Sequence, residues 1–343
     1  MKNEKEEVRK LQVTGGSTYI VSLPKWWVKE QGLEAGDGVS IVMQDPSSLL
    51  ISSQTLKKIE RSREIEVTVS SQEKCDSIVR KILSLYLVGY DVIQLTASKE
   101  RIKAAHRGAI KELVRKKLVG TEIISESIEE ITLRVLLSYS DLSLKDALKR
   151  MFVVASSMRE NAMAALEKMN RDLAKDVIEL DNEVDRFQMY LVRGVKAAMQ
   201  EPRLVSKLGL NTLRECLGYR LISKSVERAA DHAALVAKNV LELERPLDSQ
   251  AIEMLKEVSS FSDSILRKAI DSLFKEDYGT AENLLLEVGE IYELERRINR
   301  YLEVQKPPES IRTRLILESL RRIAGYGSDV AEIVLNLTIN KDH

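Results

Sequence analysis

The chain has 343 residues, 44% of them hydrophobic and 31% charged, and its 53 basic and 53 acidic side chains cancel. That length and apolar content suffice for two or three domains with substantial cores. The charge balance excludes a global field that would gather nucleic acid or an anionic membrane, so any such contact has to come from a local patch. Cys75 and Cys216 show no C-x-x-C or zinc spacing, which predicts two buried free thiols and no disulfide. No charged-then-apolar leader opens the chain, and the longest apolar runs, such as Ile82 to Val88, fall far short of a membrane span. The expectation is a cytoplasmic protein without membrane insertion.

Residues 1–53 read as short strands. VRKLQVT and STYIVSLP flank Gly15-Gly16 as a hairpin, KWWVKEQGL is a short helix, Gly36-Asp37-Gly38 turns into VSIVM, Asp45-Pro46 closes the unit and LLIS adds a last strand. The pieces Ser22-Leu23-Pro24-Lys25 and Gly32-Leu33-Glu34-Ala35-Gly36-Asp37 resemble the AbrB/SpoVT DNA-binding domain over roughly residues 8–42. In that family two chains interleave into one barrel, so the resemblance implies a homodimer and DNA as a partner, with Arg9, Lys10 and Lys25 as the DNA-binding side chains. Over residues 1–45, however, six basic residues face seven acidic ones. DNA affinity rests chiefly on phosphate neutralisation, so a module kept only for dimerisation or for a partner protein is an equally physical reading.

Residues 54–140 alternate between periods of two and 3.6: strand REIEVTVS, helix CDSIVRKILSLYLVG, strand YDVIQLTA, helix SKERIKAAHRGAIKELVRKKL, then strands TEIISES and EEITLRVLLS. This predicts an α+β spacer with one sheet face covered by helices. Lys111, Arg115, Lys116 and Lys117 on the second helix read as a solvated face, with a nucleic-acid or protein contact as the alternative. His106, with Lys103 three positions earlier, reads as structural.

From Ser143 the period is helical to the end, with Asp141 and Ser143 as N-cap candidates. Two sets of three helices are predicted, over 141–245 and 246–340. Their middle helices end alike, at Gln200-Glu201-Pro202 and Gln305-Lys306-Pro307, which points to an internal duplication. The fold class is therefore multidomain: a small swapped-hairpin β-barrel module, an α+β spacer, then all-α tandem three-helix bundles.

Two acidic pairs at i, i+4 carry the strongest chemical signal. Asp181/Asp185 in the second bundle helix and Glu227/Asp231 in the third each stack two carboxylates on one helical edge. If the edges meet, the cluster repels itself unless a cation, protons or basic side chains neutralise it. Glu227 and Asp231 sit among small apolar residues (Val226, Ala229, Ala230, Ala233, Ala234), where a solvated edge would carry lysine or glutamate. The string VERAADHAALVAKNV resembles the E-R-x-x-D-H-A signature of the PhoU family, and DNEVDRF resembles its D-x-x-V-D segment. The resemblance implies a helical-bundle repressor of phosphate uptake. It also implies Asp181, Asp185, Glu227 and Asp231 as metal ligands, and the phosphate transporter's ATPase subunit or a sensor as a protein partner. Hard carboxylate oxygens select Fe, Mn, Mg or Ca over a thiolate metal. His232 points about 100° away from Asp231 along the helix and reads as a capping or packing residue.

The second set of helices has lost this motif. Arg321, Gly325 and Tyr326 stand where Glu227, Asp231 and His232 stood, and Val288 and Tyr292 replace Asp181 and Asp185. Arg321 and Arg322 suit either an oxyanion or an intrabundle salt bridge with Glu290, Glu293 or Glu318. There is no Walker loop, dinucleotide fingerprint or nucleophile triad, and position 229, three before His232, is alanine rather than the glutamate of di-iron bundles. No enzyme activity is expected, although a metal-dependent hydrolase or oxidase in the bundle remains the competing class.

Overall fold

The structure is a computed structural model in which residues 7–45, 47–53, 62–98, 101–305 and 309–339 are described. The chain divides into two compact units, residues 1–62 and 63–343. The predicted turn at Pro46 and the helix end at Lys306-Pro307 fall outside the described residues.

In the first unit, β1 (Gln12–Thr14) and β2 (Thr18–Ile20) pair antiparallel, with Val13 opposite Tyr19. Helix α1 (Lys25–Glu30) follows, and β3 (Val39–Asp45) pairs antiparallel with β4 (Ser48–Ser53), Ile41 opposite Ile51. Each sheet has only two strands. Leu11, Val13, Tyr19, Ile41, Met43 and Leu49 are all at least 59% exposed, so among the described residues one chain builds no apolar core here. A two-stranded ribbon without a packed face is marginal in water.

The second unit opens with a four-stranded sheet of order β5-β6-β8-β7, from β5 (Glu64–Val69), β6 (Val92–Ala97), β7 (Thr121–Glu126) and β8 (Glu130–Val135). β5 and β6 run parallel and the other pairs antiparallel. Helix α2 (Cys75–Val88) connects the parallel pair, as a parallel crossover requires, and ends on Gly89 at φ +100°. Helix α3 (Ala104–Lys117) follows. Ile78, Ile82 and Tyr86 of α2 and Ile110 and Leu113 of α3 pack against Val69, Ile93, Leu95, Ile131 and Leu133 of the sheet. His106 is buried with Nε2 on the Glu73 carbonyl at 2.9 Å.

The helical body comprises α4 (Leu144–Lys168), α5 (Arg171–Gln200), the single turn α6 (Leu204–Lys207), α7 (Leu213–Glu242), α8 (Ser249–Lys275), α9 (Tyr278–Glu287), α10 (Ile291–Glu303) and α11 (Glu309–Thr338). Helices α4, α5 and α7 pack on one another, and α11 joins the halves by packing on both α7 and α8. At that joint Gly327 lets the backbones approach; a Cβ there would meet the Leu266 nitrogen at 2.9 Å. Ser143, Asn170, Thr212, Asp248 and Asp277 cap α4, α5, α7, α8 and α9 through side-chain oxygens. Asp141, the other N-cap candidate, instead accepts from the Ser138 backbone and hydroxyl. The second set departs from the predicted single middle helix: a 3-10 turn at Val288–Glu290, carrying Gly289, separates α9 from α10. Glycine lowers helix stability by about 1 kcal/mol relative to alanine, and here the ladder yields at it. Cys216 is buried and Cys75 partly so, both free.

Arg193, about two turns before the end of α5 and 4% exposed, joins this body to the α+β layer. It donates to the carbonyls of Tyr86 at 2.5 Å and Tyr90 at 2.9 Å and to Asp91 at 2.6 Å. The guanidinium lies 4.9 Å from the centre of the Tyr86 ring. These carbonyls are the negative end of α2, where a cation is favoured. Nearby, Arg63 donates to Gln200 at 2.6 Å. Replacing Arg193 by methionine takes the guanidinium from the Tyr90 carbonyl and Asp91, while the Tyr86 carbonyl keeps the Gly89 N–H, so Arg193→Met is expected to lower stability by about 2–4 kcal/mol, read as a fall in the urea midpoint; an unchanged midpoint refutes this role.

Candidate functional site

The acidic edges predicted on the second and third bundle helices meet where α5 packs on α7. Burial pushes the Asp231 carboxyl up to about 6, and the charges of Glu227, Asp181 and Asp185 add to the rise. Burial raises Asp181 as well, reinforced by Asp185 and Glu227 and opposed by Lys117 and Lys238. The four carboxylates thus form one electrostatic group in which bringing in each negative charge costs the others. Glu227 is 9% exposed, which on a charged helix face would be prohibitive without a partner.

Lys224 supplies that partner, and a second lysine, Lys117, meets Asp185. Lys224, three residues before Glu227 on α7, donates to its Oε2 at 2.5 Å. Lys117, at the end of α3, pairs with Asp185. Lys117 therefore departs from the solvated face expected of its basic run, while Lys111 binds Glu126 and Lys116 binds Glu112. Lys224 was legible as an i, i+3 neighbour; Lys117 was not, because its contact spans 68 positions. Asp181 Oδ1 is buried without a hydrogen-bond donor. The donor set is hard oxygen, suited to Mg, Ca, Mn or Fe, and that unused acceptor is where a cation would find a free ligand. Among the described residues no three His, Cys, Asp or Glu side chains close into a coordination group. Asp185 and Glu227 are turned to the lysines instead.

His232 faces α11 rather than α5. Its ring lies 5.7 Å from that of Tyr326, whose hydroxyl is 3.4 Å from Nε2, and burial with the Arg322 charge lowers its proton affinity. It is a neutral packing residue. Arg321 forms a fork on Glu318 (2.8–3.1 Å) and approaches Glu295 at 3.6 Å; Arg322 shares Glu318 at 2.8 Å. Of the two chemistries open to this arginine pair, the structure holds the ion pair, with Glu295 as a partner the sequence did not suggest. In the first unit Lys10 and Lys25 are exposed. Arg9 pairs with Glu7, whose other oxygen accepts from Trp26 Nε1 at 2.8 Å.

The raised carboxyl sets a pH dependence. Asp231 ionises at its usual 3.8 when unfolded and at about 6 when folded, so between those values the folded state holds more protons. Stability therefore falls as pH rises through that window and stays at the lower level above it. Asp231→Asn in EDTA is expected to be more stable than the wild type at pH 7.5 and to converge with it near pH 4, by urea midpoints; parallel curves across the window contradict the raised value.

The comparisons agree with this anatomy. A family model described as the PhoU domain matches residues 148–240 and 255–334, half of the chain. A second, described as antidote-toxin recognition MazE, bacterial antitoxin, matches residues 12–60. A Zymomonas mobilis protein named phosphate-specific transport system accessory protein PhoU homolog is 24% identical over 51% of this chain and 74% of its own. The Thermotoga maritima protein named PhoU homolog 1 of that system is 23% identical over 57% and 86%. The crystal structure of PhoU from Pseudomonas aeruginosa, 19% identical, covers 57% of this chain and 96% of its own with a TM-score of 0.50, a likeness of fold. The chain belongs to the PhoU family, with tandem three-helix repeats following an N-terminal MazE/AbrB-like domain.

Proposed function

We propose that the chain is a cytoplasmic regulator of phosphate uptake that responds to phosphate status. The observation that carries this reading is the pair of PhoU matches, one on each set of three helices, at 148–240 and 255–334. The names of the Zymomonas and Thermotoga relatives, accessory proteins of phosphate-specific transport, agree with it. In this reading the parts are residues 1–53, 54–140, 141–245 and 246–340. The helical body contacts the phosphate transporter's ATPase subunit or a sensor. Among the described residues no helix is long and apolar enough to cross a membrane, so contact with a transporter would be made from outside the bilayer. Asp181, Asp185, Glu227 and Asp231 hold a divalent or trivalent cation of the Fe, Mn, Mg or Ca kind. It would tie α5 to α7 and make the packing of that pair depend on cation supply.

The N-terminal unit is proposed to pair two chains and to bind promoter DNA through Arg9, Lys10 and Lys25. Its exposed Val13, Tyr19, Ile41 and Met43 fit closure by a second copy, which would bury both ribbons. The full-length protein is accordingly expected to run at twice its 38.8 kDa chain mass in light scattering, and Val13→Lys/Ile41→Lys to run as a monomer; a monomeric wild type removes the dimer.

A protein-only adaptor, its N-terminal unit serving for dimerisation, is the second reading. The engagement of Arg9 by Glu7 favours it, because a guanidinium so held is not free for phosphate. The deciding experiment is binding of the full-length protein to DNA upstream of its host's phosphate-transport genes across a salt titration. Saturable, sequence-preferring binding is expected, with a log–log salt slope that falls by about 2 per dimer for each of Arg9→Ala, Lys10→Ala and Lys25→Ala, one contact from each copy. Binding no stronger than to unrelated DNA leaves the adaptor.

A further inference from the structure

Helix α7 is packed by α4, α5 and α11, which leaves one side outward. On the packed side Cys216, Tyr219, Ile222 and Val226 are buried, and Gly218 lets α11 close in, since a Cβ there would meet Leu337 Cδ1 at 2.7 Å. On the outward side Leu213, Leu217 and Leu221 recur at i, i+4 and i+8, a row about 12 Å long on one helical face. Met199 lies on the edge of α5 that carries Asp181, about five turns further along. Residues 201–212 return the chain from α5 to α7, so that end of α5 lies beside the start of the row. These four side chains are between 37% and 65% exposed. Apolar side chains scattered singly on a surface need no partner, whereas a contiguous row on a firmly packed helix is a contact surface.

The same face is cationic. Arg214, Arg220 and Lys224 flank the leucines on α7, and Lys196 is exposed near the end of α5. Between Leu213 and Val226 the one acid is Glu215, half-buried and turned back to accept from the Asn211 backbone at 3.0 Å and its side chain at 3.1 Å. Arg214 holds the Asn336 carbonyl and Lys224 holds Glu227, while the Arg220 side chain makes no hydrogen bond or ion pair among the described residues. At the far end of the row Arg228 lies 6.0 Å from the centre of the Tyr326 ring and its charge reaches Asp329 of α11. A leucine row rimmed by one sign of charge disfavours a second copy of itself, because the two faces would set cation against cation. Its single-file width fits a helix rather than a lipid surface, which takes up a broad apolar face. We propose that this face of α7 docks the transporter's ATPase subunit, the partner in the reading on which this rests, through a helix whose apolar seam is flanked by aspartate and glutamate.

The test is calorimetric titration of the full-length protein with the purified ATPase subunit of its host's phosphate transporter, each variant first shown to keep the wild-type circular dichroism and urea midpoint. The wild type is expected to bind, more weakly as salt rises. Leu217→Asp/Leu221→Asp is expected to bind at least about ten-fold more weakly, and Arg220→Glu about three- to ten-fold more weakly with a shallower salt dependence. Leu286→Asp, which alters a 79% exposed leucine on α9, is expected to bind as the wild type does. Wild-type binding that Leu217→Asp/Leu221→Asp leaves unchanged overturns this docking face and leaves the transporter contact standing. Tighter binding by Arg220→Glu overturns the acidic character of the partner. Absence of binding by the wild type overturns the transporter contact and the docking face with it. Binding to phosphatidylglycerol vesicles that Leu217→Asp/Leu221→Asp abolishes, with ATPase binding intact, gives the face to lipid and overturns the proposal.

Discussion

The buried Arg193 guanidinium is the polar centre of the contact between the α+β layer and the helical body, with Val119 and Met189 packed across the same boundary. Arg193 sits inside the contact, satisfies the last carbonyls of α2 and pairs with Asp91. A charge at this depth is tolerable only when its donors are met, and a contact so satisfied has one geometry rather than several. The helix that carries it, α5, is 30 residues long, about 45 Å at 1.5 Å per residue. It packs on α4 and α7 along its length, presents Asp181 and Asp185 to α7, and offers Asp185 to Lys117. The acidic cluster therefore belongs to the joint between two architectures as much as to the bundle.

The parts of this arrangement that obey a local period were legible in the sequence. The strand and helix alternation of residues 64–135, the long helices and the two acidic pairs all follow from spacing, because a helix places i and i+4 together whatever surrounds it. The small residues around Glu227 also announced a buried edge, and Glu227 is buried. Contacts between elements were not legible. Lys117 and Asp185 lie 68 positions apart, and nothing in the run Lys111 to Lys117 distinguishes the lysine that crosses from those that pair on their own helix or with β7. The break between α9 and α10 was missed for a different reason: Gly289 lies inside an otherwise good helical period, and whether the ladder yields at a glycine is settled by packing. Of the arginine pair, Glu318 was visible as an i−3 and i−4 neighbour, whereas Glu295 comes from another helix.

The N-terminal unit inverts the usual relation between sequence and burial. Its strands carry the alternation of a packed sheet, yet a single chain leaves those apolar side chains in water. Under the proposed pairing of two chains, that pattern serves an interface rather than a core. Its near balance of charge has a matching consequence, since acidic neighbours such as Glu7 compete with any polyanion for Arg9.

The ion pairs of Arg321 and Arg322 with Glu318 and Glu295 carry a consequence for the history of the repeat. In the first copy negative charge is in excess and must be answered by something mobile, a lysine or an ion. In the second, the arginines answer the carboxylates within the fold, on α11 itself and from α10, and Gly325 and Tyr326 stand where an acid and a histidine stood. Duplication has thus left the carboxylates of one half crowded together and those of the other met by arginines, with α11 packed against both α7 and α8.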